Sequence, residues 1–184
     1  MKKNSTWAVT IAACVCFAAA AVSQLVSILR YGALGSFPAL MALLLIVVGL
    51  MLRRSLLIAA GGIIQTALSL IAAASANYDF VVRLPNAVRS VRSVLAIAAA
   101  ALLLALALSK RRSVLLGWLS GGCALLSALL NWFGWRIPGM GGLPQKLTVS
   151  GVVLSAAAVL GRILAGYARR EMPSLREEWK RHLK

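Results

Sequence analysis

The acidic residues and the single histidine of this chain all lie outside its long apolar stretches. Asp79 is in a polar connection, and the others are close to the C-terminus: Glu171, Glu177, Glu178 and His182. General acid–base catalysis, a Ser–His nucleophile pair and a zinc or haem site would each need a carboxylate or an imidazole within the apolar part of the chain. The apolar stretches offer neither group, so we expect no enzyme activity, no metal site and no cofactor.

The chain also lacks the residues that couple transport to an energy source. Proton- and sodium-coupled transporters use a carboxylate buried in the membrane, and ATP hydrolysis by a P-loop needs a glycine-rich loop with a lysine. The sequence contains neither feature. A role in transport would therefore be that of a subunit that depends on a partner.

Three polar side chains lie inside the apolar stretches and are candidates for contact with a ligand, a lipid or a partner. Arg162 is five residues before Tyr167 and therefore lies about 7–8 Å along a helix from the predicted interface. Its long side chain can reach the lipid headgroups, or it can face an anionic lipid, an anionic ligand or an acid of another subunit. Gln65 and Asn131 either join helices by hydrogen bonds or line a ligand cavity.

A second basic group surrounds the start of the fourth apolar stretch. Its members are Arg83, Arg89 and Arg92. Arginines at the end of a membrane helix contact lipid phosphates, and a cluster of arginines also raises the local concentration of anions. The sequence leaves two interpretations open, contact with anionic lipids and a vestibule for a small anionic solute.

Small residues recur every four positions in the fifth and sixth apolar stretches. The two rows are Ser113, Gly117 and Gly121, and Ala157, Gly161 and Ala165. Rows of this kind let helix backbones approach closely in membranes. They are explained either by packing within the chain or by docking on another membrane subunit or a second copy.

The composition indicates which elements carry these residues. Of 184 residues, 61% are hydrophobic and 13% charged, and the mean hydropathy is +0.88, whereas soluble domains are about half apolar and a quarter charged. The net charge of +16 does not indicate nucleic acid, because the basic residues lie singly or in small groups between apolar runs. Six runs are long enough for membrane helices: about 7–29, 35–52, 55–76, 91–109, 113–133 and 147–168.

Basic residues set the predicted orientation of this six-helix bundle. The two shortest connections, 53–54 and 110–112, are basic, as are the N-terminus and the C-terminal tail. By the positive-inside rule these segments lie in the cytoplasm. We predict an all-α integral protein of the cell membrane, of the bacterial inner-membrane type, with both termini cytoplasmic and with residues 1–170 as the membrane domain.

The last segment, 171–184, has a different pattern. Ser174 and Glu177 have the spacing of a helix capping box, and Leu175, Trp179 and Leu183 recur every four residues. The pattern predicts a short amphipathic basic helix that lies on the cytoplasmic membrane face. A solvated tail is the alternative.

In size, number of spans and orientation, the chain resembles the substrate-capture subunits of energy-coupling-factor vitamin transporters. Ala8 and Ala12 resemble the small-residue docking pattern in the first span of that family. The resemblance implies a subunit that binds a solute and docks on a larger transporter, and it assigns no ligand residue.

We therefore predict a non-enzymatic, transport-related membrane subunit that binds a small anionic or neutral solute or docks on a larger membrane complex. The alternative is a structural or assembly protein, or a homo-oligomeric pore, that acts through helix packing and lipid contact.

Overall fold

The computed structural model describes residues 2–32, 36–75, 86–109, 113–133 and 149–172, together with Lys180. These residues form six α-helices, and the short 3-10 turn Arg169–Glu171 follows the last of them. The helices are α1 (Lys2–Tyr31), α2 (Phe37–Met51), α3 (Ser55–Ser75), α4 (Asn86–Leu108), α5 (Val114–Phe133) and α6 (Val149–Ala168). They lie at the six predicted apolar stretches, which confirms the all-helical prediction.

Four helices of the described chain, α1, α3, α4 and α5, are long and apolar enough to cross a membrane. The apolar parts of α2 and α6 are shorter, Phe37–Met51 and Val152–Ala168. The 15 residues of α2 extend about 22 Å, against roughly 30 Å of hydrocarbon. Large apolar side chains such as Leu29, Ile71 and Leu115 are more than half exposed at the surface. The chain is an apolar helical bundle compatible with a membrane protein, while six crossings and the orientation of the termini stay predictions.

The six helices form a closed ring, in which each helix packs on its neighbours in sequence and α6 packs on α1. The turn between α2 and α3 is tight: Arg53 has a left-handed φ of 54°, and the Arg54 N–H donates to the Gly49 carbonyl at 2.8 Å. A Cβ on residue 49 would lie 2.9 Å from the backbone nitrogen of Ile58, so only glycine lets α3 pass this close. The turn therefore holds α3 directly against the end of α2.

Large apolar side chains fill the bundle near the end at which α2 ends and α3 begins, which we call the hairpin end. Leu50, Ile58, Leu103 and Leu106 are buried there, and Phe17 of α1 is fully buried in the same core. Toward the opposite end, which we call the loop end, the facing residues of α3 to α6 are mainly alanine and serine. The space between these four helices is therefore open in the loop-end half.

Candidate ligand-binding site

A cavity of about 440 Å³ lies between α3, α4, α5 and α6 in the loop-end half of the bundle. Each of the four helices supplies four lining residues. On α4 they are Arg92, Ser93, Ala96 and Ala99, whose spacing places them on one helix face. Alanine and serine make up most of the lining, and the volume is within the range of small-molecule sites.

The cavity exists because small side chains lie where the four helices face one another. Ala96 of α4 and Ala124 and Ala128 of α5 are in the lining. Two helical turns beyond Ala96, Leu103 is on the same side of α4 and is fully buried in the core. Alanine at the equivalent position leaves the volume of a leucine side chain unfilled. The cavity is therefore a result of small side chains at facing positions, and the four helices around it remain α-helical.

Arg162 of α6 lies in the lining and is held by two neutral oxygens. Its Nη1 donates to the Ala99 carbonyl at 3.2 Å, and its Nη2 donates to the Gln65 Oε1 at 3.0 Å. Its Nε is buried and has no hydrogen-bond acceptor among the described residues. The sequences of α1 to α6 contain no Asp or Glu. The charge of Arg162 is therefore oriented by the protein but is not neutralised by a carboxylate of these helices.

A second arginine of the lining is held between α4 and α5. The Arg92 Nη1 donates to the Asn131 Oδ1 at 2.9 Å. On the same pair of helices, the Ser127 hydroxyl donates to the Arg92 carbonyl at 3.1 Å, and the Ser120 hydroxyl donates to the Ala99 carbonyl at 2.6 Å. The two serines are seven residues apart in α5, and the two residues whose carbonyls accept are seven residues apart in α4. Two hydrogen bonds with the same spacing therefore fix the antiparallel register of α4 and α5.

The two arginines lie at different depths of the cavity. Arg92 is seven residues before Ala99, whose carbonyl accepts from Arg162. Seven residues correspond to about 10 Å along a helix axis. The cavity thus has one guanidinium near the loop end and a second about two helical turns deeper, with alanine and serine between them.

Of the six predicted ligand or lipid contacts, the structure brings four together. Gln65 with Arg162 and Arg92 with Asn131 form two hydrogen-bonded pairs at the cavity. Three of these four residues are in the lining, and Gln65 of α3 accepts from Arg162 of α6 without being part of the lining itself. Arg83 and the side chain of Arg89 lie outside the described part of the chain, as does most of the predicted amphipathic tail.

The first small-residue row lies between α5 and α6. A Cβ on Gly117 would be 2.8 Å from the Cα of Gly166, and a Cβ on Gly121 would overlap the Ile163 side chain. Ser113 precedes α5, and its hydroxyl accepts from the Leu116 N–H at 3.4 Å. The two glycines therefore give a close helix approach inside the chain, and Ser113 caps the start of α5.

The second row lies on the inner side of α6. Ala157 and Ala165 are buried in the core, and a Cβ on Gly161 would be 2.9 Å from the Phe17 ring of α1. Gly161 therefore makes room for the aromatic ring that fills the centre of the core. Both rows contact residues of this chain.

Arg169 joins the ends of three helices by hydrogen bonds, and it is not among the residues that the sequence identified as important. It is buried and donates to the Ser55 hydroxyl, to the Ala107 carbonyl at 3.0 Å and to the Ser109 carbonyl at 3.1 Å. Ser55 is the first residue of α3, and the two carbonyls are at the end of α4, where backbone carbonyls lack helical partners and favour a cation. In the sequence Arg169 is one of several basic residues near the C-terminus, and no local pattern distinguishes it from them.

The fold and the site define an apolar helical bundle, compatible with a membrane protein, with a cavity between α3, α4, α5 and α6 that carries two arginines. Comparison of the chain with protein-family models, with curated proteins and with solved structures finds no match.

Proposed function

We propose that the chain is a non-enzymatic, multi-pass membrane protein that binds a solute in the cavity between α3 and α6, as a subunit of a transport system. The observation that carries the proposal is the cavity itself, about 440 Å³ and lined mainly by alanine and serine, with two arginines and an asparagine. This combination is typical of small-molecule sites. A bundle that served only to fill space would place larger side chains at these facing positions.

The proposed orientation gives the cavity a direction. With the basic turn Arg53-Arg54 in the cytoplasm, the hairpin end faces inward and the cavity lies in the outer half of the membrane. Near the hairpin end, the exposed Trp118 donates from its Nε1 to the Tyr167 Oη at 3.2 Å, and Arg170 lies 5.6 Å from the Tyr167 ring centroid. Such aromatic and basic groups suit a membrane–water interface. The proposed protein captures its solute from the outer side.

The proposed subunit needs a partner for transport. Helices α1 to α6 contain no acidic residue that could couple ions, and the sequence has no P-loop. The small-residue rows on α5 and α6 contact other helices of the chain, so the proposed docking on a partner uses other apolar surfaces.

A cavity-filling variant tests the proposal. Ala96→Phe places an aromatic ring in the lining, whereas Ala101→Phe places the same ring at an exposed position of the same helix. Wild type and both variants are purified in mild detergent, and the small molecules that remain bound are extracted and identified by mass spectrometry. We expect one compound to accompany wild type and Ala101→Phe and to be lost from Ala96→Phe. Equal recovery from all three proteins, or no bound compound in wild type, would contradict solute binding in the cavity.

A further inference from the structure

We propose that the ligand of the cavity is an anion whose carboxylate or phosphate group binds the guanidinium of Arg162. This inference rests on the proposed function and names the chemical class of the solute. An arginine has five N–H groups, and those of Arg162 make only two hydrogen bonds within the described chain, to Ala99 and Gln65. The guanidinium therefore keeps N–H groups without an acceptor in the described chain, and Arg162 is part of the cavity lining.

The nature of the two acceptors decides the charge of the ligand. A backbone carbonyl and an amide oxygen orient the guanidinium but leave its positive charge uncompensated. A charge taken out of water without a counter-ion is costly, and no residue of α1 to α6 can supply a carboxylate. A bound anion supplies it. Carboxylate and phosphate oxygens match the parallel N–H groups of a guanidinium edge, and such charge-assisted bonds are the strongest hydrogen bonds of proteins.

The rest of the lining agrees with an anion and limits its size. Among the described residues that line the cavity there are two arginines and no acidic residue. Arg92, at the loop end, adds a second positive charge on the path to Arg162, and this charge favours the entry of anions. The distance of about 10 Å along α4 between Arg92 and Ala99 fits a compact solute or a lipid headgroup. The alanine and serine wall between the arginines would contact the uncharged part of the ligand.

Two sources present the same chemistry, a free phosphate or carboxylate solute and the phosphate of an anionic lipid. The test therefore uses two probes on the full chain in a neutral detergent. One probe is inorganic phosphate, titrated at constant ionic strength against chloride. The other is phosphatidylglycerol in mixed micelles, with phosphatidylcholine as the neutral control. The melting temperature is recorded for each addition, because a ligand that binds only the folded state raises it.

Three variants separate the site from general effects of charge. Arg162→Gln removes the proposed contact, and Arg53→Gln removes an exposed arginine at the hairpin end as the matched control. Gln65→Glu keeps the shape of the side chain that accepts from Arg162. It replaces the amide by a carboxylate, whose oxygen would lie where the Gln65 Oε1 lies, 3.0 Å from the Arg162 Nη2. We expect this variant to melt higher than wild type without a probe and to lose the response to both probes, because the protein then supplies its own counter-ion.

We expect at least one probe to stabilise wild type and Arg53→Gln and to have no effect on Arg162→Gln or Gln65→Glu. A response to phosphate identifies a free anion, and a response to phosphatidylglycerol alone identifies a lipid. The proposal is overturned if neither probe stabilises wild type, or if Gln65→Glu responds as wild type does. A co-purifying compound that depends on residue 96 but carries no anionic group would overturn the anion while leaving solute binding intact.

Discussion

Gln65 and Arg162 are 97 residues apart in the sequence, and a hydrogen bond of 3.0 Å joins the Arg162 Nη2 to the Gln65 Oε1. A neutral amide thus occupies a position at which a membrane protein commonly places a carboxylate. The amide orients the guanidinium without neutralising it. A glutamate at position 65 would form an internal ion pair with Arg162, whereas the glutamine leaves the positive charge of Arg162 to be compensated by a ligand.

The contact between Gly117 and Gly166 makes the α5–α6 interface sensitive to a single methyl group. In Gly117→Ala the new Cβ would lie 2.8 Å from the Gly166 Cα, and backbone cannot move aside as a flexible side chain can. We expect the helices to separate and the stability to fall by about 1–3 kcal/mol. Thermal melts in detergent measure this change.

Gly122→Ala is the matched control on the same helix. A Cβ on Gly122 would meet no other described residue within 4 Å, and alanine favours a helix over glycine by about 1 kcal/mol. The control should therefore melt at or slightly above the wild-type temperature. If both variants melt alike, the close approach of α5 and α6 is not important for stability.

The positions of the helices could be predicted from the sequence, because an apolar run in lipid can satisfy its backbone only as a helix. The predicted stretch 55–76 corresponds to Ser55–Ser75, and 113–133 corresponds to Val114–Phe133. The predicted stretch 35–52 is a helix of only 15 residues, since Ser36 and the turn at Arg53 limit it on both sides. Hydropathy alone does not show how many residues at the ends of an apolar run belong to a turn and not to the helix.

The candidate site was only partly predictable. Gln65 and Arg162 were notable because each is polar within an apolar run, but their pairing depends on the register of α3 and α6 in the ring. Ser120 and Ser127 carry no such signal, since serines in membrane helices are common. Arg169 was hidden for a different reason: its burial requires the start of α3 and the end of α4 to meet at the end of α6. These relationships are tertiary and have no local pattern.

Arg169 should be the arginine at the hairpin end on which stability depends most. Arg169→Gln leaves the carbonyls of Ala107 and Ser109 without their shared donor, and each buried unsatisfied group costs about 1–3 kcal/mol. Arg170→Gln is the neighbouring control, because Arg170 is exposed. We expect a clear fall in melting temperature for Arg169→Gln and little change for Arg170→Gln. Equal melting of the two variants would show that the three helix ends are held together by apolar contacts alone.

The orientation of the bundle is open to a direct measurement. In a background in which Cys14, Cys16 and Cys123 are replaced by alanine, single cysteines are introduced at Arg54 and at Ser36, near opposite ends of the bundle. An impermeant thiol reagent on intact cells should label Ser36→Cys and spare Arg54→Cys, because basic turns remain in the cytoplasm. Labelling of Arg54→Cys before permeabilisation would reverse the predicted orientation and would place the cavity in the cytoplasmic half.

Removal of the Arg162 charge together with its amide partner should stabilise the ligand-free protein. A charge at the centre of a membrane helix costs roughly 2.5–3.5 kcal/mol, and less nearer the ends; apolar residues of similar volume commonly replace buried charged groups without loss. In Gln65→Leu/Arg162→Met both polar groups are lost at once, and the Ala99 carbonyl keeps its hydrogen bond from Ser120. We expect this double variant to melt above wild type without added anion and to show no response to phosphate or phosphatidylglycerol.

The single variant Arg162→Met should melt below the double variant, because it leaves the Gln65 amide without its donor. A residue kept for binding is expected to weaken the empty fold in this way. If the double variant instead melts well below wild type, Arg162 serves mainly to join α3, α4 and α6, and the anion site loses its energetic argument.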